Sequence, residues 1–143
     1  MKTLYTAYAT SVIGEKSHSE TDDKHINVEM SAPTSGTENA TNPEQIFAVG
    51  YSGCFGMTIK AIAEKKQVSL KEVIVKADVA LNQDEKGGLF LAVTLHVTLA
   101  GVDDATAHIL AEDAHQKCPY SKAIHGNVEV TTLVNKAPLT KAA

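Results

Sequence analysis

The segment 46–63 constrains the fold most, because its apolar residues Phe47, Val49, Tyr51, Cys54, Phe55, Met57, Ile59 and Ile62 leave a helix no polar face. Such a helix has to be covered on most sides, so the pattern predicts a central helix wrapped by sheet or by a second subunit. Its start is written just upstream, where Thr41 or Asn42 can cap, Pro43 takes the first helical position and Glu44 sits early in the first turn. Gly50, Gly53 and Gly56 each weaken a helix by roughly 1 kcal/mol relative to Ala. Either close backbone approach or substrate access beside Cys54 has to account for them.

Around this helix the chain reads as an α+β domain. Segments 4–12 and 26–30 alternate like strands and are expected to form a hairpin about the polar turn 17–23. A loop over 31–41 follows. Segments 73–81 and 89–99 read as two further strands joined by a turn over 83–88. Asp103 is expected to cap a second helix with a narrow apolar face of Ala107, Leu110, Ala111, Ala114 and Cys118, spaced by threes and fours. Pro119 stops that helix or starts a new turn. Segment 128–134 reads as a last strand, followed by a loose tail. One compact domain over 1–143 is the expectation, with no internal repeat.

The net charge is −4, carried against thirteen lysines and no arginine, so no guanidinium fork is present for phosphate. Nucleic acid is excluded as an expected partner. The first residues alternate with Thr and Tyr and lack the continuous apolar run of a leader, and no segment reads as an unbroken bilayer span. The expected setting is therefore soluble and cytoplasmic, with no membrane partner. That compartment is reducing, so two cysteines there are fillers, metal ligands or redox catalysts.

Cys54 taken alone reads as a buried, inert thiol. Cys118, on the inner face of the second helix and followed by Pro119, changes that reading, because two helices meeting at their apolar faces could bring the sulfurs within disulfide reach. A zinc site from His115, Cys118 and Cys54 competes. It lacks the close-spaced ligand pairs usual for structural zinc, and no metal is expected. His18, His25, His96, His108 and His125 are scattered over polar or strand positions.

Two longer motifs narrow the choice. Residues 41–55, TNPEQIFAVGYSGCF, resemble the first signature of the organic hydroperoxide resistance (Ohr) branch of the OsmC family, and residues 114–128, AHQKCPYSKAIHGNV, resemble the second. The likeness extends in element order from Leu4 to Val134. It implies an OsmC-like α+β fold, an intertwined homodimer with curved antiparallel sheets around two central helices. It implies a peroxidase of the oxidative-stress response in which Cys54 attacks an organic hydroperoxide, Cys118 resolves the product as a disulfide, and Glu44 is the active-site carboxylate. No bound cofactor is implied. The reductant would be an external lipoyl dithiol, dihydrolipoamide or a lipoylated protein. Phe47, Tyr51, Phe55 and Met57 offer an apolar approach for a bulky substrate, against the simpler role of core packing.

The chain departs from the family at one place. The family's arginine, which lowers the cysteine pKa and is held by the glutamate, falls at Glu15 here, in the stretch Ile13-Gly14-Glu15. Lys16 or His18 is expected to supply the missing charge, or helix dipoles alone suffice. An ammonium cannot clamp a carboxylate and a peroxide oxygen in one plane, so slower turnover is expected, or an arginine-less redox sensor or ligand-binding protein. Glu44 and Cys54 would stand about 15 Å apart on one straight helix. Either the helix breaks at the glycines, or Glu44 serves the cysteine of another subunit.

Overall fold

The computed structural model describes residues 1–35 and 39–139 and falls into two compact units, Met1–Ile46 and Phe47–Ala143. The first unit holds a three-stranded antiparallel sheet in the order β1 (Ala9–Val12), β2 (Ser17–Thr21), β3 (Asn27–Met30). The polar stretch expected as a turn is therefore its central strand. Pairing explains the difference, since backbone hydrogen bonds to both neighbours define β2, from Ala9↔Thr21 on one side to Ser17↔Met30 on the other. Polar side chains do not oppose this where they satisfy one another, as His18 and Glu20 do at 3.3 Å on one face of the strand. Residues 4–8 stand outside the strand, with Leu4, Tyr5 and Tyr8 exposed. Of the expected loop 31–41, Gly36, Thr37 and Glu38 lie outside the described residues, and Thr41 returns to bridge Met30.

Helix α1 (Pro43–Lys65) begins where the capping residues predict, with the Gln45 N–H donating to Asn42 Oδ1 at 2.9 Å. It runs unbroken through all three glycines, which removes a break there as a way of bending Glu44 toward Cys54. Tyr51, Phe55, Ile59, Ile62 and Ala63, at helical spacing, are at most 5% exposed. The opposite side is open: Val49 and Met57 are 73% and 75% exposed. The expected burial on most sides is thus met on one face only within the chain. By length and apolar content α1 is long enough to cross a bilayer, contrary to the sequence expectation. Its Tyr51, Phe55 and Ile59 face, however, is engaged in a protein core that a spanning helix would have to abandon.

The second unit is built on β4 (Glu72–Gln83) and β5 (Leu89–Ala100), an antiparallel pair in register from Glu72↔Ala100 to Gln83↔Leu89. Every second residue of β5, Val93, Leu95, Val97 and Leu99, is buried, as period-two alternation requires. β6 (Glu129–Val134) lies parallel to β5, so the four-stranded sheet, in the order β4-β5-β6-β7, is mixed and not purely antiparallel. A parallel pair needs a long crossover, and α2 (Asp104–Lys117) with α3 (Pro119–Ile124) supplies it. The expected loose tail is partly ordered, since β7 (Ala137–Pro138) pairs with β6; residues 140–143 lie outside the described residues.

The inner face of α2 is the one the spacing predicts: Ala107, Leu110, Ala111, Ala114 and Cys118 are all at most 1% exposed. They join the α1 and β5 side chains in one core, each large side chain worth roughly 1.5–3 kcal/mol on burial. Asp103 caps α2, its side chain accepting from the Thr106 N–H at 2.8 Å. Asp103→Ala is expected to cost about 1 kcal/mol and to lower the thermal midpoint by roughly 3 °C. An unchanged melting curve would show that this cap contributes nothing.

Candidate active site

Cys118 owes its position to Pro119. A residue before proline is pushed out of the helical region, and Cys118 accordingly sits extended, at φ −62° and ψ 121°, closing α2 and opening α3 at once. The corner is held by the Cys118 N–H donating to Ala114 O at 2.7 Å and the Lys122 N–H donating to Cys118 O at 3.0 Å. The Cys118 side chain is fully buried, and Cys54 on α1 is half-buried. Their sulfurs are 3.3 Å apart and unbonded, with the Cys118 thiol donating to Cys54. A disulfide needs about 2.05 Å, so closing the pair takes a shift of roughly 1.2 Å, within reach of side-chain rotation.

Burial raises the Cys54 thiol above its ordinary pKa, and the thiol of Cys118 adds to the rise. The backbone N–H of Tyr120, on the far side of the Pro119 corner, opposes it by donating to the sulfur. That donor was not legible as such in the sequence, because any residue there carries one. What could have pointed to it is the turn after Cys118. Tyr120 itself stacks on Tyr51 at 6.0 Å and meets Phe47 edge-on at 6.2 Å. Gly50 makes room for it: a Cβ there would lie 2.7 Å from Tyr120 Oη. Close approach thus explains Gly50, whereas a Cβ on Gly53 would meet nothing within 4 Å.

Of the apolar residues expected near Cys54, Tyr51 and Phe55 have no exposed surface and serve the core, Phe47 is half-buried, and Met57 is largely exposed. Burial likewise holds the Tyr51 phenol above its ordinary range, so it stays protonated. Glu44, Lys16 and His18 belong to the other unit. Lys16 is exposed and His18 faces Glu20. Glu44 Oε2 is buried and, among the described residues, has no hydrogen-bond partner. An orphaned carboxylate oxygen costs roughly 1–3 kcal/mol and marks a place where a donor belongs. Among the described residues no group of three or more His, Cys, Asp or Glu side chains is placed to hold a metal. Both ring nitrogens of His115, the third candidate zinc ligand, are engaged with hydroxyls, Ser121 Oγ at 3.2 Å and Thr132 Oγ1 at 2.7 Å.

Comparison with known proteins gives this geometry its relatives. The family profile described as OsmC-like protein matches residues 35–133. An organic hydroperoxide resistance protein of Xanthomonas axonopodis pv. citri is 38% identical over 134 residues, covering 91% of this chain and 94% of the relative. The crystal structure of an organic hydroperoxide resistance protein from Elizabethkingia anophelis, with thiocyanate bound, superposes with a TM-score of 0.88 at 39% identity, over 94% of this chain and 98% of that one. The organic hydroperoxide resistance protein OhrB of Bacillus subtilis superposes with a TM-score of 0.85 at 35% identity, over 92% of this chain and 99% of that one.

Proposed function

Since the chain belongs to the OsmC-like protein family, we propose that it is a cysteine-based peroxidase that reduces organic hydroperoxides and so protects a reducing, cytoplasmic compartment from oxidative stress. The observation that carries this reading is the free sulfur pair: Cys54 and Cys118 at 3.3 Å, one partly reachable and one sealed. The Cys54 thiolate attacks the distal oxygen of the hydroperoxide, the O–O bond breaks, and the departing alkoxide takes a proton to leave as the alcohol. Cys54 is left as a sulfenic acid. The Cys118 thiol then attacks the Cys54 sulfur, an S–S bond forms, and the sulfenic oxygen leaves as water. An external dithiol of the lipoyl type reduces the disulfide, itself becoming a cyclic disulfide, and no bound cofactor takes part.

A second copy of the chain completes the molecule in this reading. The exposed Val49 and Met57 and the empty space at Gly53 give α1 an apolar side suited to a partner, and the unbroken helix leaves Glu44 to serve the cysteine of the other subunit. The missing arginine and the upward push on the Cys54 thiol favour one alternative, a thiol redox sensor or ligand-binding protein that oxidises without efficient turnover. A peroxidase assay coupled to dihydrolipoamide, with cumene hydroperoxide as oxidant, decides between them. Sustained consumption by the wild type, absent in Cys54→Ser, is expected; oxidation of Cys54 without recycling would instead establish the sensor.

A further inference from the structure

Four side chains from four elements form a largely buried chain of hydrogen bonds, with Tyr51 on the helix of Cys54 and His115 and Ser121 on either side of Cys118. Tyr51 Oη on α1 lies 2.8 Å from Ser121 Oγ on α3, Ser121 Oγ lies 3.2 Å from His115 Nδ1 on α2, and His115 Nε2 lies 2.7 Å from Thr132 Oγ1 on β6. Tyr51, Ser121 and Thr132 are 0%, 7% and 6% exposed, His115 is half-buried, and all four line one cavity. One assignment of hydrogens satisfies every link: Tyr51 donates to Ser121, Ser121 donates to His115 Nδ1, and the His115 Nε2–H donates to Thr132. The Phe55 ring packs against the imidazole at a centroid distance of 4.7 Å.

The placement in sequence is as telling as the bonds. Tyr51 stands one helical turn before Cys54, His115 one turn before Cys118, and Ser121 one turn after it. Cys118 lies at the corner where α2 gives way to α3, a joint that two backbone hydrogen bonds alone would leave free to hinge. The hydroxyl of Ser121 ties α3 both to α1 and to α2, so it fixes the joint from both sides. Core packing alone would be served by alanine or valine at these positions, without the cost of burying three hydroxyls and part of an imidazole.

Resting on the peroxidase reading, we propose that the chain Tyr51–Ser121–His115–Thr132 is a positioning device that holds the Cys118 sulfur against Cys54 for disulfide formation. Ser121 and His115 are positioning residues in it, acting through the placement of Cys118. The step they serve is the attack of Cys118 on the sulfenic sulfur of Cys54, in which the S–S bond forms and the S–O bond breaks. That attack competes with a second molecule of hydroperoxide, which would carry Cys54 on to the sulfinic acid. A misplacement of the order of 1 Å can cost such a step a large factor in rate.

The test is the branching of Cys54 between disulfide and sulfinic acid, measured by peptide mass over a series of cumene hydroperoxide concentrations. Ser121→Ala is expected to slow resolution about tenfold, so the peroxide concentration that converts half of Cys54 to sulfinic acid falls by the same factor. Thr132→Val, which keeps shape and removes the distal hydroxyl, shifts that midpoint in the same direction by less, and remains informative should Ser121→Ala fold poorly. Midpoints equal to that of the wild type in both variants would overturn the proposal, as would a lowered melting temperature with unchanged branching, which is what a purely structural role produces. If the wild type forms neither sulfenic acid nor disulfide, the peroxidase reading itself has failed.

Discussion

In Cys54→Ser, hydroperoxide consumption falls at least about a thousandfold, to the uncatalysed rate, whereas Cys118→Ser retains one oxidation per chain and loses sustained turnover. The contrast follows from the two sulfur environments. Cys54 is half-buried and can meet a peroxide, which makes it the nucleophile of the proposed reaction, and a serine hydroxyl there carries almost no anion at neutral pH. Cys118 has no exposed surface and meets only what is already on Cys54, 3.3 Å away. With Cys118 absent, the sulfenic acid has no partner thiol in the chain, since these are its two cysteines. It then accumulates and is trapped by a dimedone-type probe or climbs to the sulfinic acid. Equal activity in both serine variants would refute the division of roles, and full turnover in Cys54→Ser would remove the reaction from this site.

On the proposed peroxidase reading, an arginine at position 15, where the resemblance to the Ohr branch implies one, should accelerate oxidation of Cys54. Glu15→Arg is expected to raise the rate of Cys54 oxidation at neutral pH by at least about tenfold, because a cation near a thiolate lowers its pKa by roughly 1–3 units. The wild type starts from the unfavourable side: burial raises the Cys54 pKa, and the backbone N–H of Tyr120 and, more weakly, the Thr58 hydroxyl oppose it without cancelling it. The sign is then fixed. Below that raised pKa the thiolate fraction, and with it the rate, climbs about tenfold per pH unit. In the variant the climb should level off at lower pH, as followed by thiolate absorbance and by stopped-flow oxidation over the same range. Glu44 Oε2 is buried and without a partner among the described residues, and the resemblance to the Ohr branch implies that the family's arginine is held by this carboxylate. If Lys16 and His18 already supply part of the charge, the double variant Lys16→Ala, His18→Ala slows oxidation and moves the profile to higher pH. A Glu15→Arg profile that overlays the wild type would show that the charge belongs elsewhere.

The elements whose signal is local were legible in the sequence, because caps, turn residues and the spacing of apolar residues are written in neighbouring positions. Asn42 and Asp103 both cap where they were expected to, the turn residues between Gln83 and Gly88 join β4 to β5, and the small face of α2 is buried residue for residue. The polar strand β2 was not legible, since pairing on both edges defines it and its Ser, His and Glu carry no alternation of polarity. Nor was the parallel placement of β6 beside β5, which depends on how α2 and α3 cross over the sheet.

The site divides in the same way. The two candidate sulfurs were legible in the sequence, because only two cysteines exist and each sits in a motif that resembles a signature of the Ohr branch. Whether they meet was not, since residues 54 and 118 are brought together only when the Pro119 corner folds over α1. The same holds for the push on the Cys54 thiol and for the hydroxyl–imidazole chain beside it. Proton affinity and hydrogen bonding depend on distance and on exclusion of water, and a one-dimensional order of residues contains neither until burial and tertiary contact create them.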